Sequence, residues 1–238
     1  MTTYYVDTAV GNDGNAGTSE GAGNAWATID HALSTIAAGD LVYIKASGTY
    51  SEDATVDTAG SASNTIVIEG YTTTPGDNGK ATMSGTTSCI TPVVGANYYI
   101  WKNMIFSNCS GRGWGNANAA DFVTFYNCEF NNNGDDGVRA DDDVSCVNCI
   151  AHGNSGAGIN LGEGFIAGCI VYSNGANGID NDFGGSRLVY KTLAYNNTGN
   201  AIEGNGIDGA VVGCTVDGEN SNAGIATTYF AADNIVYD

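Results

Sequence analysis

Apolar and polar residues alternate along this chain over short stretches, and Gly or Asn interrupts the alternation every few residues. That two-residue period marks short strands joined by turns, because an amphipathic helix needs apolar positions three to four residues apart. From Tyr98 onward the stretches align as repeats: NCEFNNNGDDGV (127–138), NCIAHGNSGAGI (148–159), GCIVYSNGANGI (168–179), KTLAYNNTGNAI (191–202) and GCTVDGENSNAGI (213–225). One column reads Cys128, Cys149, Cys169, Thr192 and Cys214, with steps of 21, 20, 23 and 22 residues. Three residues upstream runs a mostly apolar column of Trp101, Phe125, Cys146, Ile166, Val189, Val211 and Ala231, and a third reads Val138, Ile159, Ile179, Ile202 and Ile225. A polar column, Asn133, Asn154, Asn174, Asn197 and Asn220, falls where each unit turns. Asn tolerates the left-handed backbone of such a turn and can hydrogen-bond along a stack.

A unit of this size cannot bury its own apolar side, but units stacked at the strand spacing of about 4.8 Å line a continuous interior. The pattern therefore predicts an all-β fold, a single-stranded right-handed parallel β-helix of about 20–24 residues per turn. Leu41–Lys45 and Thr65–Glu69 read as earlier strands. Between 25 and 38 the spacing of Trp26, Ile29, Leu33 and Ile36 predicts a short amphipathic helix that caps the N-terminal end of the solenoid. The whole chain, 1–238, reads as one domain, with a cap module and first strands over 1–60 and stacked turns over 61–238. No cap is expected after Tyr237, which would leave the C-terminal turn, or the sides of the solenoid, open to another chain, including copies of itself as a trimer.

The opening YYVDTAVGNDGNAGTSEGAGNAWATIDHAL, followed by AAGDLVYIKASGTYSE, resembles the N-terminal module of pectate-lyase-like β-helix proteins. The Asn and Gly-Ile columns resemble the generic right-handed β-helix repeat, so the likeness covers nearly the whole chain. It implies a fold and leaves activity open, because that superfamily holds lyases, glycosidases, epimerases and phage tailspikes. A lyase of this kind would use Ca²⁺ and an Arg or Lys as base, and Arg139 is the basic residue on the repeats' outer columns. Polygalacturonase-like glycosidases need paired acids, which Asp135, Asp136 and Asp141–Asp143 would supply. The catalytic candidates are thus Arg139 and Asp141, although the family's accompanying His, Arg-x-Lys and Asp-Pro-His-Asp signatures are absent.

Composition narrows the partners. Apolar residues make up 42% of the chain and no apolar run reaches the length of a membrane span, so no membrane association is expected. Residues 1–7 carry neither a basic region nor an apolar core and do not read as a signal peptide. A net charge of −19, with seven Lys and Arg, argues against nucleic acid. A polyanionic sugar would be repelled overall unless cations bridged it.

Seven cysteines invite a metal or disulfide reading. Cys146 and Cys149 form C-x-x-C, yet no second pair or His follows at zinc-ligand spacing. Stacked neighbours such as Cys128 and Cys149 would lie about 4.8 Å apart, wider than the Cβ separation of a disulfide. Free, buried thiols are expected throughout.

If Val138 and the isoleucines below it point inward, residues one and three places later point outward. Asp180, Asp182, Glu203 and Asn205 then form a block of oxygen ligands over two turns, a set that Ca²⁺ accepts. His152, Tyr172 and Tyr195 share another column, where aromatic rings can stack on sugars or simply pack along the solenoid side. The expected role is that of a virion or extracellular β-helix surface protein of tailspike, fibre or capsid-decoration type, contacting a polysaccharide or another virion protein. The alternative is a secreted lyase or glycoside hydrolase acting on an acidic polysaccharide with Ca²⁺.

Overall fold

A computed structural model describes residues 1–115, 120–140, 143–180, 185–204, 209–217, 223–227 and 230–237. The chain coils into a parallel β-solenoid with a ten-stranded, a nine-stranded and a five-stranded sheet, plus a two-stranded sheet near the N-terminus. One full turn shows the plan: Val144–Val147 lies in the ten-stranded sheet, Ile150–His152 in the nine-stranded and Ile159–Leu161 in the five-stranded. Every inter-strand pairing is parallel.

The apolar columns predicted from the repeats are the observed registers. Trp101 pairs through Phe125, Cys146, Ile166, Val189 and Val211 to Ala231, and Val138 pairs through Ile159, Ile179 and Ile202 to Ile225. Cys128, Cys149, Cys169, Thr192 and Cys214 are all buried. Stacking is direct in the aromatic N-terminal half of the core, where Phe106 and Phe130 lie parallel at 5.3 Å and Trp114 meets Phe125 edge-on at 5.1 Å.

The asparagine column hydrogen-bonds along the stack, but its members are not the left-handed residues. The positive φ angles belong to the residues just before them, Asn132 (53°), Gly153 (66°), Ser173 (54°) and Asn196 (52°). The kink turns the next side chain into the interior, where Asn133 donates to Asn154, Asn154 to Asn174 and Asn174 to Asn197, each at 2.9 Å. Each of these amides also donates to a carbonyl about one turn earlier, as Asn154 does to Phe130 O at 3.1 Å. Asn220 lies outside the described residues.

Two further expectations change. The N-terminal helix runs only over Ile29–Thr35, because Thr28 is its N-cap and is held extended by Asp13, which accepts from Ala27 N (2.8 Å), Thr28 N (3.0 Å) and Thr28 Oγ1 (2.9 Å). Trp26 therefore sits before the helix, bridged to Val6 and stacked on Tyr4 at 4.5 Å. The helix still buries Ile29, Ala32 and Leu33 against the core, as a cap should. The expectation of seven free thiols is corrected as well: Cys89 and Cys109 form a disulfide with a Cα–Cα separation of 5.7 Å. The spacing argument weighed thiols in one column. This pair instead bridges a corner between adjacent turns, with Cys109 heading the asparagine column, and its separation falls in the normal range. The other five cysteines are free and buried. Among the described residues, no helix is long and apolar enough to cross a membrane.

Two outcomes follow from this core. Ile179→Asp places a carboxylate with no partner in a fully buried column and should cost several kcal/mol, enough to prevent cooperative folding; a soluble variant with a sharp melting transition would refute the register. Thiol titration of the denatured protein should give five reactive groups without reductant and seven with it. Seven in both conditions would exclude the disulfide.

Candidate functional site

The outer surface of the five-stranded sheet carries two adjacent polar columns. The first lies two residues before the inward isoleucines and contains Asp136, Asn177 and Asn200. Each uses its side-chain oxygen to accept a backbone N–H from the next turn: Ala157 N reaches Asp136 at 2.8 Å, Asn200 N reaches Asn177 at 2.7 Å and Ala223 N reaches Asn200 at 2.9 Å. The turn must come very close for this to happen. A Cβ on Gly156 would lie 2.4 Å from Asp136 Oδ1, and one on Gly199 would lie 2.3 Å from Asn177 Oδ1, so both positions require glycine.

The second column is the outward one, Arg139, Asn160, Asp180 and Glu203. The alternation of the strands points these side chains outward. Asn160 (1% exposed) and Asp180 (9%) are nevertheless buried. Asn160 Nδ2 donates to Asp136 Oδ2 at 3.3 Å, and Arg139 makes an ion pair with the same oxygen at 3.6 Å. Arg112, one turn earlier, pairs with Asp135 at 3.1 Å. Burial holds the Asp136 carboxyl above the ordinary carboxylate range, against the opposing pull of Arg139 and Arg112.

Further along the same face, the Arg187 side chain turns inward from the ten-stranded sheet and is buried. Its guanidinium donates to the carbonyl of Leu161 at 3.0 Å and to those of Asp180 and Glu203, joining three successive turns. Burial lowers its pKa to about 10, while Asp180 and Glu203 act to raise it, so it stays charged at neutral pH. The Glu203 carboxylate accepts from both Asn177 Nδ2 and Asn200 Nδ2.

The structure thus brings together Arg139, Asp180 and Glu203 of the residues singled out from the sequence. Asp141, Asp182 and Asn205 lie outside the described residues. Of the expected cation block, Asp180 and Glu203 are described: the Arg187 guanidinium donates to the backbone carbonyls of both, and the Glu203 carboxylate accepts from two amides. Among the described residues, no group of three or more His, Cys, Asp or Glu is placed to hold a metal ion. Sequence reasoning missed the inward turn of Arg187 and the tie between Asp136 and Arg139. The recurrence of Asp136, Asn177 and Asn200 two residues before Val138, Ile179 and Ile202 was the available signal.

His152, Tyr172 and Tyr195 lie on a different face, the outside of the nine-stranded sheet. They stack in register, His152 on Tyr172 at 4.7 Å and 5° and Tyr172 on Tyr195 at 5.0 Å and 4°. The rings are half-buried and turn their faces to one another. Glu129, another residue the sequence did not flag, meets His152 Nε2 at 3.3 Å and Lys80 Nζ at 3.8 Å at one end of the stack.

No family model matches the sequence, and no curated protein matches it either. Solved structures do match. Pectate lyase Pel9A superposes with a TM-score of 0.73 at 16% identity, over 99% of this chain and 77% of the other. The pectin methylesterase from Aspergillus niger gives 0.67 at 14%, over 98% and 85%. ORF18 of Geobacillus virus E2 gives 0.61 at 13%, over 98% and 59%. At these identities the likeness is one of fold: the chain is a right-handed parallel β-helix of the pectate-lyase-like kind.

Asp136 provides a test of this electrostatic arrangement. A carboxyl whose pKa is raised by folding contributes stability that is complete below its unfolded value, near 3.8, and is lost as pH rises through the folded value. Asp136→Asn cannot ionise, so its melting temperature should gain on that of the wild type between about pH 4 and pH 7. A difference that stays flat with pH would mean that Arg139 cancels the burial.

Proposed function

We propose that this protein is an extracellular or virion-associated β-helix that binds a carboxylated polysaccharide lengthwise along the outside of its five-stranded sheet. One observation carries the reading. The chain has seven basic residues against 26 acidic ones, and Arg112 and Arg139 stand on this face while Arg187, turned inward from the ten-stranded sheet, binds three of its backbone carbonyls; the four lysines lie elsewhere. Arginine presents a planar fork of donors that suits carboxylates, and it keeps its charge when buried. Arg112 and Arg139 are partly exposed and would meet the sugar acid. Buried Arg187 fixes the backbone that frames them. The neighbours named pectate lyase and pectin methylesterase support a carbohydrate ligand, and the Geobacillus virus protein supports a virion setting.

A second reading, cleavage of the same chain, draws on the Asp136 carboxyl. A carboxyl held above the ordinary range beside an arginine is the usual form of a general acid.

Affinity electrophoresis and calorimetry against pectate, other carboxylated polysaccharides and their uncharged counterparts test the first reading. Carboxylated chains should bind and should weaken with added salt. Arg112→Gln/Arg139→Gln should lose at least about tenfold in affinity, equivalent to about 1.4 kcal/mol, whereas Lys191→Gln should lose little. Equal binding by wild type and the double arginine variant would refute the site. Release of unsaturated or reducing ends by wild type, but not by Asp136→Asn, would support cleavage.

A further inference from the structure

The outer face of the ten-stranded sheet contrasts with the rest of the molecule. Two outward columns run its full length. One passes from Thr3 through Ile100 and Phe165 to Phe230, and the other from Tyr5 through Tyr126 and Tyr190 to Ala232. The charged side chains in these columns are Glu69 and Lys102, and they pair with each other at 3.8 Å. A chain of net charge −19 therefore has one long face whose two central columns carry no net charge. Large apolar side chains stand exposed on it, including Tyr126 (43%), Leu188 (37%), Tyr190 (37%) and Phe230 (57%). Beside them a cleft of about 320 Å³ opens between Phe122 and Phe165, floored by Thr124 and Ser145. Asp143 and Lys191 stand at the margins, giving the apolar strip a polar rim.

We infer that this face is where a second copy of the chain docks, in a pair whose two copies use the same surface. Charge selects the occupant. Two copies approaching through most other directions bring like charges together, whereas here the internally neutralised Glu69–Lys102 pair and the apolar columns meet their own kind without repulsion. Area is consistent with a stable pair. Ten strands at about 4.8 Å and strands about 13 Å long give a strip of about 600 Å², near the roughly 800 Å² per partner of a standard interface. Two sheets facing across such a strip pack as in a β-sandwich, side chain into cleft. The proposed sugar face on the five-stranded sheet stays free in this arrangement, so the inference goes beyond the glycan reading and does not depend on it.

Sedimentation velocity from about 1 to 100 µM is the test. Wild type should sediment as a dimer at the upper end, and more completely as salt screens the acidic charge. Leu188→Lys/Tyr190→Lys, at two exposed positions, should remain folded and monomeric across the range, with at least a tenfold loss of association. Ile170→Lys on the nine-stranded sheet and Ile235→Lys on the last strand should leave the dimer intact. A wild type that is monomeric throughout overturns the inference. So does dissociation by Ile170→Lys or Ile235→Lys, or an assembly of another order. The double variant should also keep its glycan binding; if it lost that binding while wild type proved monomeric, the face would belong to the sugar.

Discussion

Buried amides that only the next turn can satisfy hold this solenoid in register. Asn133, Asn154, Asn174 and Asn197 are almost completely buried, and a polar side chain left unpaired in such a place costs about 1–3 kcal/mol. Each finds its partners in its neighbours along the axis and in no other alignment, so slipping one turn by a residue would strand every amide at once. Apolar columns alone would tolerate such a slip more readily, since Ile, Val and Cys are similar in size and lack direction. The left-handed kink before each asparagine is the local condition for this ladder. It occurs with Asn132, Gly153, Ser173 and Asn196, and thus depends on a backbone shape shared by different residues.

Three residues further on, the same corner repeats the device with different chemistry. Asp136, Asn177 and Asn200 accept backbone N–H groups from the turn that follows each, and Gly156 and Gly199 are there because no side chain fits under those oxygens. One position in this series is a carboxylate where the others are amides. That carboxyl pairs with Arg139, as the neighbouring Asp135 does with Arg112, and gives a structural column an ionisable group. Arg187 extends the same logic by tying three turns together through their carbonyls.

Three sheets give the molecule three unlike surfaces. The five-stranded sheet carries Arg112 and Arg139, the nine-stranded sheet a stack of half-buried rings, and the ten-stranded sheet an apolar strip without net charge. A solenoid separates functions in this way because each outward column is independent of its neighbours around the turn, while along the axis it repeats at a fixed spacing.

The repeat was legible in the sequence because burial acts on one residue at a time and recurs every turn, so Ile159, Ile179 and Ile202 announce themselves. The solenoid, the inward columns and the capping role of the Ile29–Thr35 helix all follow from that periodicity. The candidate site was only partly legible. Asp180 and Glu203 could be placed on one face, but Asn160 and Asp180 being covered, Arg187 turning inward and the Cys89–Cys109 bridge could not be foreseen. Each joins residues that are neighbours only after the chain has coiled, at corners where repeat length varies between 20 and 24 residues and no column spacing applies. Periodic, one-body burial was therefore determined by the sequence itself. The pairing of charges and sulfurs across corners was decided by the tertiary structure, because it depends on distances that no spacing along the chain encodes.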